Sequence, residues 1–281
     1  MALRLDGKTL AQKIRSDLAK KIATFPSKPH LVVFLSFPDP ASQIYVRNKI
    51  KACEEIGIQT TLIDREFTET NPFIGAIQAL PKEIDGILVQ FPLHKNVNKQ
   101  KIIDHIDPNL DVDGCHPVNL GKLITEDPTG FVPCTPLGIQ TMLHAYSIET
   151  KGKHVVVVGR SATVGKPLAL LLAQKNSLAN ATVTLAHSAT QNLAEITLSA
   201  DIIVAAAGQQ NLITAPMIKE GAVLIDVGIN RNPKTNELVG DIDFPSVEPK
   251  CSAISPVPGG VGPMTVASLM VNTVKSYELT H

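Results

Sequence analysis

His154-Val155-Val156-Val157-Val158-Gly159-Arg160-Ser161-Ala162-Thr163-Val164-Gly165-Lys166-Pro167-Leu168-Ala169-Leu170-Leu171-Leu172 is the stretch whose reading decides the fold. The β-branched run His154–Val158 reads as a strand. A turn of small residues follows, then an apolar, helix-compatible run. Strand, small-residue turn and helix N-terminus together hold a phosphate through backbone donors. The spacing departs from G-x-G-x-x-G: Ser161 stands at the second glycine's place and one extra residue precedes Gly165. The alternative is a plain tight strand-to-helix connection, but the whole surrounding unit has the alternation a phosphate turn requires.

Outward from it, short β-branched runs alternate with longer helical stretches, which indicates an α/β protein with mostly parallel strands. Downstream, residues 181–185, 201–204 and 222–226 read as further strands of a Rossmann-like unit. Upstream, residues 31–35, 60–63 and 86–89 read as strands, separated by helices over 42–56 and 71–80. Residues 107–136 are rich in Asp, Pro and Gly, and Pro136-Leu137-Gly138 leads into a helix through Tyr146. The expected organisation is two α/β domains, one over residues 1–136 and a Rossmann-like NADP-binding domain over 137–264.

The cofactor type is read from the end of the second strand of that unit. An NAD site places Asp or Glu there for the ribose 2′-hydroxyl, whereas this chain has Ala186-His187-Ser188-Ala189-Thr190. With Arg160 beside the phosphate turn, a 2′-phosphate meets a cation and hydroxyl donors, which favours NADP.

Composition excludes other classes. The 281 residues carry 26 Lys+Arg against 26 Asp+Glu with no basic block, so a nucleic-acid partner is not expected. No apolar run approaches the roughly 20 residues of a membrane span, and Met1-Ala2-Leu3-Arg4-Leu5-Asp6-Gly7-Lys8 lacks a signal peptide's apolar centre, so a cytoplasmic protein is expected. Cys53, Cys115, Cys134 and Cys251 show neither a CxxC pair nor zinc spacing and read as reduced thiols.

Candidate chemistry lies on the helix from Ser42. At about 100° per residue, Ser42, Tyr45 and Lys49 share one face, next to an apolar arc of Val46, Ile50 and Cys53. Lys49 either lays its methylenes over the core with its ammonium in water, or is buried enough to lower its pKa for proton transfer. Gln90 ends a strand, where open α/β sheets place ligands, and can hold the lysine by a neutral hydrogen bond. Asp113, in Asp111-Val112-Asp113-Gly114, can accept from a ligand's N–H groups. Near the C-terminus, Pro258-Gly259-Gly260-Val261-Gly262-Pro263-Met264-Thr265 reads as a shaped loop opening onto a helix that starts near Thr265, either a ligand contact or a rigid turn.

In order and spacing these residues resemble the bifunctional methylenetetrahydrofolate dehydrogenase/methenyltetrahydrofolate cyclohydrolase family, often called FolD, over nearly the whole chain. The carriers are Asp6-Gly7-Lys8, Pro40-Ala41-Ser42-x-x-Tyr45-Val46-x-x-Lys49, Gly86-Ile87-Leu88-Val89-Gln90, Asp111 to Gly114, Pro133-Cys134-Thr135-Pro136, Gly159-Arg160-Ser161, Asp226-Val227-Gly228-Ile229-Asn230 and Pro258 to Thr265. The resemblance implies a two-domain homodimer subunit with folate in a cleft between the domains, NADP on the second, and a C-terminal helix over 265–281 completing the first. It implies oxidation of 5,10-methylenetetrahydrofolate by NADP and hydrolysis of the product to 10-formyltetrahydrofolate, in the one-carbon metabolism that feeds purine biosynthesis. It makes Lys49 the acid/base residue of hydrolysis, tuned by Gln90, with Tyr45 on the folate ring, Asp113 anchoring the pterin and Ser42 in support. Pro258, Gly259 and Gly260 are folate contacts by the same resemblance. Gly159, Arg160, Ser161, Gly165, His187, Ser188, Gly208 and Ile229 are cofactor contacts, and no metal is expected.

The chain departs from the family pattern at Ser36-Phe37-Pro38, where Val-Gly-Asp is common, and at Leu110, where lysine is usual; Ala162-Thr163 replaces Asn-Ile in the phosphate turn. A binding-only relative and a monofunctional dehydrogenase are the rival readings, and the retained Lys49 weighs against both.

Overall fold

The computed structural model describes residues 2–37, 39–233 and 235–281; Pro38, in the Ser36-Phe37-Pro38 departure, lies outside the described residues. The strands in chain order are β1 (Leu3–Arg4), β2 (His30–Leu35), β3 (Gln59–Asp64), β4 (Gly86–Gln90), β5 (His154–Val158), β6 (Thr182–Ala186), β7 (Ile202–Ala205), β8 (Val223–Asp226), β9 (Asn230–Arg231), β10 (Leu238–Val239) and β11 (Ala253–Ile254). The helices are α1 (Gly7–Ile22), α2 (Pro40–Glu55), α3 (Thr70–Gln78), α4 (Lys99–Asp104), α5 (Pro117–Ile124), α6 (Cys134–Ala145), α7 (Gly165–Ala173), α8 (Leu193–Leu198), α9 (Phe244–Val247) and α10 (Val261–Thr280). The chain divides into two compact units: Lys13–Cys134 with Leu269–His281, and the chain up to Gln12 with Thr135–Ser268.

The first unit holds a parallel sheet in the order β3-β2-β4. Val32, Phe34 and Val89 point to one face of it and pack with Phe67, Phe73 and Ile77. Phe67 stacks on Phe73 at 4.5 Å between centroids, the offset geometry that aromatic quadrupoles favour. Leu110, the residue standing where the family has lysine, packs half-buried against this core. At the C-terminal end of the chain, Asn272 donates to the carbonyls of Val112 (2.8 Å) and Val132 (3.0 Å), tying α10 to the loops of this unit.

The second unit holds a six-stranded sheet in the order β1-β11-β8-β7-β5-β6, parallel throughout. Setting β1 aside, the five strands run 2-1-3-4-5, a doubly wound order whose direction of winding reverses between β5 and β7. Paired on both sides by β6 and β7, β5 has Val155, Val156, Val157 and Val158 all buried. The sequence reading grouped the N-terminus with the first domain, yet Leu3 and Arg4 pair with Ala253 and Ile254 and extend the second unit's sheet. A strand of two residues carries no periodicity by which to place it. The Pro258–Thr265 loop is also shorter than expected, because α10 starts at Val261. Pro263 sits in the first turn of α10, where N–H groups have no intrahelical partner and a missing one costs nothing.

Candidate active site and cofactor turn

In the first unit, α2 starts at Pro40 because Asp39, in extended conformation, caps it. The Asp39 carboxylate accepts from the Ser42 N–H (2.8 Å) and the Ser42 hydroxyl (2.7 Å). Further along the same face stand Tyr45, half-buried, and Lys49, which is only 7% exposed. Val46 and Cys53 are buried beside them, while Arg47, Asn48, Lys51, Glu54 and Glu55 face water. Of the two sequence alternatives for Lys49, the buried one is therefore the state of the molecule.

The Lys49 ammonium lies 4.3 Å from the centre of the Tyr45 ring and donates to Gln90 Oε1 at 3.1 Å. Gln90 is the last residue of β4, opposite Leu35 of β2, where the winding of the three-stranded sheet reverses. Its Nε2 donates to the Phe91 carbonyl at 2.7 Å, which fixes the amide with its oxygen toward the lysine. Burial holds the Lys49 amine below the ordinary lysine range, and the charge of Asp113 pulls it partly back. Burial also raises the Tyr45 phenol, pushes the Cys53 thiol up to about 12 and lifts Cys115 and Cys134 well above the usual thiol value. Lys49 is the member of this group whose proton is loosened rather than tightened.

Asp113 sits half-buried in the loop after α4, with the Cys115 thiol 3.6 Å from its Oδ2. The preceding Asp111 does a different job. It is buried and accepts from the N–H groups of Cys115 (3.2 Å) and His116 (2.7 Å) and from Asn119 Nδ2 (2.9 Å). Burial still pushes the Asp111 carboxyl up to about 6. Asn119 also donates to Pro108 O and accepts from Phe131 N–H, so one buried amide fixes both flanks of the Asp113 loop. Gly114 turns that loop with φ +72°, and a Cβ there would stand 2.6 Å from Pro133 N. Sequence reading missed Asn119, because its partners are scattered backbone groups with no motif spacing.

In the second unit, β5 runs into Gly159, whose φ is +132° and whose absent Cβ leaves room for the Ala206 carbonyl. Ser161 Oγ accepts from the N–H groups of Val164 (3.1 Å) and Gly165 (3.4 Å), closing the turn at the start of α7. Arg160 is exposed and forms no ion pair among the described residues. After β6, His187 N–H donates to Thr190 Oγ1 (2.8 Å), His187 Nδ1 accepts from Ala189 N–H (3.2 Å), and Ser188 is exposed. Gly159 follows β5 and Gly208 closely follows β7, so both lie at the point where the winding reverses. Ile229, 62% exposed, lines a cavity of 140 Å³ together with Leu238, Pro258, Gly259 and Gly260. The structure thus gathers Ser42, Tyr45, Lys49, Gln90 and Asp113 in the first unit, and brings the Pro258–Gly260 loop beside Ile229 in the second. Asp241, buried under the Gly208 turn, is a second residue that sequence reading missed; the acidic Gly240-Asp241-Ile242-Asp243 run was its only signal.

Two family models match this chain: the tetrahydrofolate dehydrogenase/cyclohydrolase catalytic domain over residues 5–113 and the NAD(P)-binding domain of the same family over residues 133–281. The bifunctional protein FolD of Aquifex aeolicus is 48% identical over 286 residues, covering 99% of this chain and 96% of that protein. The crystal structure of the bifunctional FolD enzyme from Campylobacter jejuni superposes with a TM-score of 0.95 at 42% identity, covering 100% of both chains. The Trypanosoma brucei methylenetetrahydrofolate dehydrogenase-cyclohydrolase, solved with NADP cofactor and inhibitor, superposes at 0.92 with 34% identity, covering 99% of this chain and 98% of that one.

Proposed function

This chain belongs to the tetrahydrofolate dehydrogenase/cyclohydrolase family, and from that premise we propose that Lys49, buried and held by Gln90, is the acid/base residue of a two-stage folate enzyme. The protein oxidises 5,10-methylenetetrahydrofolate to 5,10-methenyltetrahydrofolate with NADP and hydrolyses that product to 10-formyltetrahydrofolate. The observation that carries the assignment is the 3.1 Å hydrogen bond to the amide oxygen of Gln90 from the amine of a lysine that is only 7% exposed.

The residues of the second unit fit NADP. Arg160, exposed and without an ion pair among the described residues, stands on the turn after β5, and the turn after β6 offers His187 and Ser188 with no carboxylate. Arg160, Ser161, His187 and Ser188 would hold the 2′-phosphate, while Gly159, Gly165, Gly208 and Ile229 let the dinucleotide lie against the sheet's carboxyl edge. When bound, NADP accepts the hydride that leaves the one-carbon bridge. No protein base is needed for that stage, because the adjacent nitrogen lone pair forms the iminium as the hydride departs; holding the substrate is the protein's share. Tyr45, Asp113, Ser42 and the Pro258-Gly259-Gly260 loop are the substrate contacts of this reading.

In the second stage water attacks the cationic carbon. A permanently charged lysine would repel that cation, so burial of Lys49 favours the neutral amine that can take a proton at Nζ from the attacking water and return it to the departing ring nitrogen. Gln90 accepts one N–H of the amine and aims its lone pair without adding charge. We place the protein in the cytoplasm as a homodimer: its four free cysteines suit a reducing compartment, and the dimer follows from the family resemblance. No helix among the described residues is long and apolar enough to cross a membrane.

The test is a spectrophotometric assay of the purified protein with 5,10-methylenetetrahydrofolate and NADP. NADPH formation with methenyl decay faster than the enzyme-free control supports both stages. NADPH without accelerated decay leaves a dehydrogenase alone, and neither signal leaves a binding protein.

A further inference from the structure

Asp241 is fully buried, and among the described residues its side chain hydrogen-bonds to neither the Arg160 turn nor the His187 turn. Its Oδ2 accepts from the N–H groups of Ala207 (2.7 Å) and Gly208 (2.9 Å), the residues that close the chain after β7. Its Oδ1 accepts from Asn230 Nδ2 (2.9 Å), next to Ile229 in the chain that leaves β8. Its own N–H donates to Asp226 Oδ1 at 2.9 Å, and Asp226 also accepts from Gly228 and Ile242 N–H. One carboxylate therefore spans two adjacent strand ends, and all three of its side-chain donors lie in the segments that carry Gly208 and Ile229.

A second buried carboxylate beside it makes the arrangement costly. Burial, with the charge of Asp241 adding to it, pushes the Asp226 carboxyl up to about 6. Two acidic groups in one dry site lower stability, and a fold needing only a filled core would place apolar residues there. What a carboxylate supplies that an apolar residue cannot is direction: charge-assisted bonds fix where the N–H groups of residues 207 and 208 point and how Asn230 lies. Those groups stand at the edge where open α/β sheets take their ligands.

We propose that Asp241 is a positioning residue for the dinucleotide, setting the Gly208 and Ile229 segments against the cofactor through Ala207, Gly208 and Asn230. This rests on the reading of Gly208 and Ile229 as cofactor contacts. The role differs from general support of the fold in acting on one of the two activities, since the Lys49 site lies wholly in the other unit.

The experiment compares Asp241→Ala, Asp241→Asn and Asn230→Ala by two assays on each protein: NADP-dependent oxidation of 5,10-methylenetetrahydrofolate, and hydrolysis of preformed 5,10-methenyltetrahydrofolate without NADP. In Asp241→Ala the ratio of dehydrogenase kcat/KM for NADP to cyclohydrolase kcat/KM falls about tenfold, mostly through KM, the scale of one lost charge-assisted hydrogen bond. Asp241→Asn keeps the ratio within about threefold, because its amide oxygen still accepts from Ala207 and Gly208 while Asn230 turns its own oxygen to the new amide. If Asp241→Ala does not fold, Asn230→Ala decides, with an expected fall of about threefold. An unchanged ratio in the variants that fold, or a loss in Asp241→Asn as large as in Asp241→Ala, overturns the proposal. Wild-type protein without NADP-dependent turnover would sink the cofactor reading instead.

Discussion

The two units prepare for chemistry in opposite ways. The Lys49 site is built from side chains already in place: an amine buried under an aromatic ring, an amide turned to receive it, and a carboxylate within electrostatic reach. The turn after β5 is built from backbone, with Ser161 spent on closing it and Arg160 left in water. Proton transfer needs a pKa, and burial is what lowers that of Lys49, so that site has to be assembled before substrate arrives. Phosphate needs donors and a cation; N–H groups at a helix start are fixed by the fold itself, and an exposed arginine can wait in solvent until a partner binds.

Substitution at Lys49 is the most direct way to break that contrast. Lys49→Met keeps the apolar stem and removes the proton carrier, and cyclohydrolase activity falls by about 10²- to 10⁴-fold, the usual worth of a positioned acid/base group. Hydrolysis of preformed methenyltetrahydrofolate measures it, and an undiminished rate sinks the assignment. At the other unit Arg160→Ala acts on affinity: KM for NADP rises by about 10- to 100-fold while KM for NAD moves little, as expected for losing charge-assisted bonds to a 2′-phosphate. Equal catalytic efficiency of the unmodified protein with NAD and NADP would remove the reason to single out Arg160.

A smaller effect sharpens the comparison within the Lys49 site. Gln90→Glu puts a negative charge where a neutral oxygen receives the amine. The Lys49 pKa then rises, the neutral fraction at a given pH falls, and the limb of the cyclohydrolase pH profile that reports the free amine moves to higher pH. A drop of about tenfold near neutrality is expected, recovered in part on raising the pH. A profile that keeps its shape while losing height would mean that Gln90 positions substrate rather than tuning the lysine.

How much of this was legible follows from the kind of signal each feature carries. The β5 strand was readable to its ends, because a β-branched run that stops at a small-residue turn marks both its type and its limit. The α2 face was readable because 3.6-residue spacing sets Ser42, Tyr45 and Lys49 together, although the helix begins two residues earlier than the pattern suggests, at the Asp39 cap and Pro40. The short β9–β10 hairpin and β1 were not readable, since pairs of residues have no period. The burial of Lys49 was open in sequence and is settled by packing. Asn119, Asn272 and Asp241 escaped because they hold backbone groups remote in sequence, and a polar side chain advertises nothing about partners it meets only in the fold.

Asp111 offers a test, on stability rather than on rate, of whether the Asp113 loop is held by a carboxylate that prefers its proton. Its folded pKa of about 6 lies above the ordinary aspartate value of 3.8, with burial outweighing the donors from Asn119 and His116. The sign follows from linkage. The folded state binds this proton more tightly than the unfolded chain, so the contribution to stability is full below the unfolded value, falls as pH rises between about 4 and 6, and is lost above the folded value. The loss is on the order of 3 kcal/mol, from about 1.4 kcal/mol per pKa unit. Asp226, also near 6, adds a decline of the same sign from the other unit, so the two must be separated by substitution. Asp111→Asn cannot titrate; whatever constant offset it introduces by meeting the Cys115 and His116 N–H groups with an amide, its urea-unfolding free energy should decline less between pH 4 and 6 than that of the unmodified protein. A slope identical to the unmodified protein's would mean that the Asp111 carboxylate is already ionised throughout that window, so that its three hydrogen bonds, not its burial, set its charge.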